Sequence, residues 1–203
     1  MQVPVILATQ VLESITVEPR PTRAEVSDAA NAVEDGVDAI MLSAETAAGA
    51  WPVRAVEVLD AVIRETEAAL SQPEESADEA DARTDHAAAL CAAAVTLAGR
   101  GGAEAIVAVT RSGQTPRLLS ALRPRVPILA ATDRLDIARR LAPYWGVVPV
   151  CMSMAENIGA AGLLIGQQLM RQKLVSPGDR IVFVNIHEDL TRTNANYLLI
   201  QQL

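Results

Sequence analysis

The chain has 203 residues, half of them hydrophobic and 21% charged, which suits one large domain or two small ones and excludes a disordered protein. Seventeen Lys+Arg against twenty-five Asp+Glu leave a net charge of −8, so binding a polyanion such as nucleic acid is not expected as the main task. No apolar run reaches the roughly 18–20 residues of a membrane span, and the start, MQVPVILATQ, lacks a basic signal region; a soluble, cytoplasmic protein with no membrane partner is expected.

The first element, Val3–Thr9, is a short continuous apolar run, the pattern of a strand buried on both faces of a parallel sheet. A turn-rich piece with Pro19 and Pro21 follows. Thr22 and Glu25 then form a capping-box pattern that opens a helix, whose apolar stripe is Ala24, Val26, Ala29, Ala30 and Val33 and whose end is Gly36. A second strand spans Asp38–Ser43, and Pro52 starts a long helix that packs through Val53, Val56, Val58, Leu59, Val62 and Ile63. The order strand–helix–strand–helix predicts two βα units in series over residues 1–70.

Ser71–Asp85 carries six carboxylates against the single Arg83, together with a proline and no large apolar residue, and reads as an exposed acidic linker. From His86 a second alternation begins, covering 86–203. A small-residue helix ends at the glycines near 101, and strand Ala105–Thr110 runs into the turn RSGQT and a helix starting near Pro116. Strand Pro127–Thr132 precedes helix Leu135–Leu141, and strand Val147–Val150 precedes helix Ala155–Gln172. Strand Arg180–Asn185 and a final apolar segment, NYLLIQQL, close the chain. Repeated βα alternation with short links predicts a doubly wound, mostly parallel α/β domain of three layers.

Cys91 and Cys151 are too few and too far apart for a CxxC pair and read as two buried free thiols; with His86 and His187 the only histidines, no metal site is expected. Sixteen of the seventeen basic residues are arginines. The one lysine, Lys173, sits near a helix end, where a cation opposes the negative end of the dipole.

Reactive groups in helix-covered parallel sheets gather at the C-terminal ends of strands. Thr9 and Gln10 close the first strand; Ser43, Glu45 and Thr46 close the second. A hydroxyl and a carboxylate on neighbouring strand ends can relay a proton or hold a phosphorylated ligand, and the same residue types also cap helices and turns. Thr110, Arg111, Ser112, Gly113, Gln114 and Thr115 lie between a strand and a helix. Their hydroxyls, glycine and helix N-terminus suit a phosphate cradle, or equally a capped turn.

The strings ATQVLESI and RPTRAEVSDAANAVEDGVDAIMLSAETAAGAWPVRAVEVL closely resemble the last two βα units of the (β/α)8 barrel of pyruvate kinase. They match its ATQ-M-LES, PRPTRAE and MLS-GETA motifs, with Val11 for the usual methionine and Ala44 for the usual glycine. TRSGQTPRLLSALRPRVPILAAT resembles that family's C-terminal α/β domain. The resemblance implies a partial (β/α)8 barrel of two βα units (1–70), the linker 71–85 and the C-terminal domain (86–203) of a glycolytic enzyme, which transfers a phosphoryl group between phosphoenolpyruvate and ADP to give pyruvate and ATP. It implies that Thr9 binds phosphoenolpyruvate and helps protonate the enolate, that Ser43 borders the same proton-relay water, and that Glu45 lies toward the nucleotide. Asp28 and Asn31 match an outer barrel helix, and Arg20 and Arg23 a segment near a subunit interface, so a homo-oligomer is implied. The loop Thr110–Thr115 resembles the TxSGxS/T loop that holds a phosphate of a sugar-phosphate effector. The glycine-rich loop that covers this ligand in the family corresponds here to Asn185–Asn194, which has no glycine and carries Glu188 and Asp189; altered effector binding is expected.

The family also uses a lysine, Mg²⁺ and K⁺, whose ligands come from earlier barrel strands, and no ARGDLG-type segment occurs here. Ala48 stands where some members carry a nucleotide-side lysine. Two of eight barrel units do not close a barrel. The expectation is a truncated pyruvate kinase chain that is inert alone. Two alternatives are a non-catalytic effector-binding or oligomerisation module, and an unrelated nucleotide-binding α/β protein; against the latter, GxGxxG and GxxxxGK[ST] are both missing.

Overall fold

Strand β1 (Ile6–Ala8) pairs in parallel with β2 (Ala39–Met41), Leu7 opposite Ile40, in a computed structural model that describes residues 3–70, 86–153, 158–187 and 196–203. A 3-10 turn (Glu13–Thr16) and helix α1 (Arg23–Glu34) link the two strands; a one-turn helix α2 (Ala44–Ala47) and the long α3 (Pro52–Ala69) follow β2. The capping box forms as expected: the Glu25 amide donates to Thr22 Oγ1 (3.3 Å) and the Thr22 amide to Glu25 Oε2 (2.7 Å). Gly36, at φ 83°, follows the end of α1, and Pro52 opens α3.

Leu7, Ile40 and Leu42 face a core of Val11, Leu12, Ile15, Ala29, Ala55 and Leu59, which lies under α1 and α3. Alternation puts Ile6, Ala8 and Met41 on the other face, and all three are exposed. The expectation that the first strand is buried on both faces is thus corrected, because helices cover one side only. The strand is also shorter than Val3–Thr9: it has three partner residues on β2, and Thr9 leaves extended geometry at φ 75°.

A separate compact unit is built from the residues after 85. Its elements are α4 (His86–Gly101), β3 (Ala105–Val109), α5 (Gln114–Ala121), β4 (Ile128–Thr132), α6 (Leu135–Leu141), β5 (Val147–Cys151), α7 (Ile158–Arg171), β6 (Arg180–Asn185) and β7 (Tyr197–Gln202). The sheet order is β5-β4-β3-β6-β7, parallel except for β7, which runs antiparallel to β6. One face of the sheet (Ile106, Ala108, Ile128, Ala130, Val182, Val184) packs on Cys91, Ala94 and Ala98 of α4, Leu119 of α5, and Ile137 and Leu141 of α6. The other (Ala105, Val107, Leu129, Ala131, Ile181, Phe183) packs on Ile165 and Leu169 of α7. Burial on both faces explains why these strands read as unbroken apolar runs.

Some element ends move. Helix α5 starts two residues before Pro116, since a proline is tolerated in a first turn, where its missing N–H has no helical partner. Of the helix expected at Ala155–Gln172, residues 155–157 lie outside the described residues, as does the acidic stretch 71–85. Cys91 is buried as expected. Cys151 is exposed instead, because it ends β5 at the edge of the sheet. Lys173 stands just past α7 at φ 58°, where the Leu174 amide reaches back to the Leu169 carbonyl (3.0 Å). It terminates the helix in the left-handed geometry usually left to glycine.

Candidate functional site

The two strand ends of the first unit meet at Glu45. This side chain is only 2% exposed, yet it is charged. Its Oε2 accepts from the Ser43 amide (2.8 Å) and the Ser43 hydroxyl (3.4 Å), while Oε1 accepts from the Leu12 amide (3.3 Å). One carboxylate thus ties the segment after β1 to the segment after β2. Burial pushes the Glu45 carboxyl up, but the hydrogen bonds from its own amide, from the Ser43 and Leu12 amides and from the Ser43 hydroxyl outweigh it and hold it below the ordinary carboxylate range.

Around this clamp the backbone is unusual. Thr9 and Gln10 are consecutive non-glycine residues with positive φ, 75° and 54°. For a β-branched threonine that geometry is a strained outlier, of a kind that costs about 1–3 kcal/mol and is held only where neighbours fix it. Here the fixing neighbours are Val11 and Leu12, buried just downstream, and the Leu12 bond to Glu45. The result is that Thr9 and Ser43 stand exposed at the C-terminal ends of adjacent strands. Gly49 closes the same corner: a Cβ there would lie 2.8 Å from the Glu45 carbonyl oxygen and 3.1 Å from the Thr16 Cα. The Ser14 amide bonds Glu25 Oε1 (2.8 Å) and the Trp51 ring donates to the Val17 carbonyl (3.2 Å), so α1 and the start of α3 also grip the turn after β1.

This corner presents two hydroxyls and a carboxylate whose oxygens are engaged with amides. It can orient a small ligand and exchange a proton through a hydroxyl. It does not fit a divalent cation, because the Glu45 oxygens are occupied, and among the described residues no three His, Cys, Asp or Glu side chains group as metal ligands. Mg²⁺ and K⁺ therefore have no ligand set among the described residues of this corner.

In the second unit, β3 and β6 lie side by side but are followed by chain segments leaving in opposite directions along the sheet, which makes their C-terminal ends the switch point where ligands bind in open α/β sheets. The loop Thr110–Thr115 sits there. Thr110 Oγ1 accepts from the Gly113 amide (2.8 Å), and Ser112 Oγ accepts from the Gln114 amide (3.4 Å). Gly113, at φ 81°, caps α5 without a side-chain bond, and Thr110 and Thr115 are buried. Arg111 pairs with Asp133 (3.4 Å) in the loop after β4. On the β6 side the His86 ring donates from Nε2 to the His187 carbonyl (3.2 Å), and the His187 amide donates to Asn196 Oδ1 (2.7 Å). Residues 188–195, and with them Glu188 and Asp189, lie outside the described residues.

Three comparisons bear on these two sites. The family described as "Pyruvate kinase, alpha/beta domain" matches residues 88–201, and "Pyruvate kinase, barrel domain" matches residues 1–56. A pyruvate kinase of Agrobacterium vitis is 43% identical over 202 residues, 98% of this chain and 42% of that protein. Pyruvate kinase 2 of Synechocystis is 45% identical over 149 residues, 73% of this chain and 24% of that protein. Among solved structures, a pyruvate kinase from Cryptosporidium parvum is 31% identical with a TM-score of 0.81, over 98% of this chain and 40% of that one. The chain therefore spans about two fifths of the length of such relatives, corresponding to their last barrel units and α/β domain.

Proposed function

The chain belongs to the pyruvate kinase family, and from that premise we propose that its β1 and β2 strand ends form one wall of a phosphoenolpyruvate pocket, in an enzyme that moves a phosphoryl group between phosphoenolpyruvate and ADP to give pyruvate and ATP. The observation that carries this reading is the strained turn at Thr9 and Gln10, which the buried Leu12–Glu45 bond pins beside Ser43. In this role the Thr9 hydroxyl hydrogen-bonds the substrate and passes a proton to the enolate left when the phosphoryl group departs. Ser43 borders the water that restores that proton. Glu45 stays ionised and holds both strand ends in place.

The other half of the chemistry is cationic. A transferring phosphate needs Lys, Arg or metal charge around it. The only lysine, Lys173, ends α7 in the second unit. On this reading residues 1–70 supply hydroxyls to the pocket, 71–85 connect, 86–203 carry effector response and association of copies, and the neutralising lysine, Mg²⁺ and K⁺ are held by barrel residues other than these. The 203 residues by themselves are then catalytically inert. A coupled pyruvate-formation assay on the purified chain with Mg²⁺ and K⁺ should read background; turnover abolished by Thr9→Val would overturn the inertness.

A second reading is a non-catalytic module that binds a phosphorylated effector or another copy of the chain in the cytoplasm. It is favoured by the second unit, which has its own sheet, a core on both faces and a loop at its switch point.

A further inference from the structure

Strand β5 is one edge of the second unit's sheet. The Ile128 amide donates to the Gly146 carbonyl (2.8 Å) and the Met152 amide to the Thr132 carbonyl (2.9 Å). Ile128 lies opposite Val147, Ala130 opposite Pro149 and Thr132 opposite Cys151. Along a parallel ladder, alternate residues turn their N–H and C=O to opposite sides of the strand. Val148, Val150 and Met152 therefore face β4, while Val147, Pro149 and Cys151 present theirs to the open side. That side is poor in donors. The Val147 amide is taken by the Tyr144 carbonyl (3.2 Å), and Pro149, at the middle of the strand, has no N–H. Among the described residues this leaves the Cys151 amide to meet an incoming strand. Proline is tolerated in a sheet where its nitrogen points away from the ladder, and here it removes no bond between β5 and β4.

The composition of this edge explains why a guard is needed. Residues 146–153 (GVVPVCMS) carry no charge in a chain where 21% of residues are charged, and three of the five residues of β5 are valines. Val148 is 37% exposed, and Cys151 is exposed as well. An uncharged, valine-rich strand at a free edge is a ready template for pairing with another chain, and such edges are commonly blunted by charged side chains or by proline. With no charge in the stretch, Pro149 fills that role. The opposite edge of the sheet, β7, has no proline. A sheet open at both edges can add copies head to tail without closing, and so grow into a fibre; a sheet closed at β5 cannot.

We propose that Pro149 closes the β5 edge to a second copy of this chain, so that association of copies does not extend through it. The inference is independent of the phosphoenolpyruvate reading, since it uses the sheet of the second unit alone. It makes a directional claim: supplying the one missing amide at position 149 opens the edge, and placing a charge beside that amide closes it again.

The test is sedimentation of the full chain over a concentration series up to about 100 μM, kept reduced so that the exposed Cys151 does not cross-link copies. Pro149→Val supplies the amide in a residue suited to strands, and should raise the sedimenting mass about twofold or more over the parent at the top of the series. Hydrogen exchange across residues 147–151 should slow in the same samples as concentration rises, which locates the contact on the edge. Adding Val148→Lys to Pro149→Val should return the parent's mass. Pro149→Ala restores the same amide with a smaller side chain, and decides the matter where valine alters the far-ultraviolet spectrum. Two results overturn the proposal. In the first, the Pro149 variants keep the parental spectrum and sediment as the parent does at every concentration. In the second, they associate but Val148→Lys leaves the association intact and exchange at 147–151 unchanged, which would place the contact elsewhere.

Discussion

Glu45 is a charged group in a dry place, and its worth is in the three donors it satisfies. Replacing it with Gln keeps the shape but turns an acceptor oxygen into a donor facing an N–H, so Glu45→Gln should destabilise the first unit by about 2 kcal/mol, read from urea denaturation followed at Trp51. The pH dependence has a definite sign. Glu25 and Glu45 are both held below their ordinary value of 4.5, so what they add to stability is fully present above about pH 4.5 and is lost as the pH falls through their lowered values. Urea midpoints should drop on that acid limb, less steeply in Glu45→Gln. An unchanged limb would remove Glu45 from this role. At the same scale, Ser43, Glu45 and Thr9 were legible because they stand in long family-like strings at strand ends. The clamp was not, because Leu12 and Glu45 are 33 residues apart and only the fold makes them neighbours.

At the scale of elements, capping chemistry was readable and strand length was not. Thr22 with Glu25, Pro52 and Gly36 marked helix ends where the structure has them, because those signals act over three or four residues. The extent of β1 depends on how many residues β2 offers it, the one-turn α2 is too short for a period, and the antiparallel run of β7 depends on where the chain returns. Two substitutions test the element ends. Gly49→Ala puts a Cβ against backbone atoms of Glu45 and Thr16 that cannot swing away, and should cost about 1–3 kcal/mol in the same denaturation assay. Lys173→Gly relieves a left-handed lysine at the end of α7 and should raise stability of the second unit by about 0.5–1 kcal/mol, measured at Trp145.

Taken as a whole, the molecule is two units with opposite completeness. The C-terminal sheet is covered on both sides, with Phe183 only 1% exposed against α7, and Phe183→Ala should cost about 3–5 kcal/mol of that unit's stability. The N-terminal pair of strands is covered on one side, leaving Ile6 and Met41 at 49% and 47% exposure. That bare face is the one an eight-stranded barrel turns inward, and it is where a pocket at the strand ends would be finished by other strands. The central claim, that Thr9 is a working group of a phosphoenolpyruvate pocket whose cations come from elsewhere in a barrel, is tested most directly by supplying that barrel. Joined to the first six βα units of the Agrobacterium vitis relative, the chain should form pyruvate from phosphoenolpyruvate and ADP, and Thr9→Val should lower kcat by about a hundredfold or more with folding unchanged. A hybrid that turns over equally well with valine at that position would contradict the account.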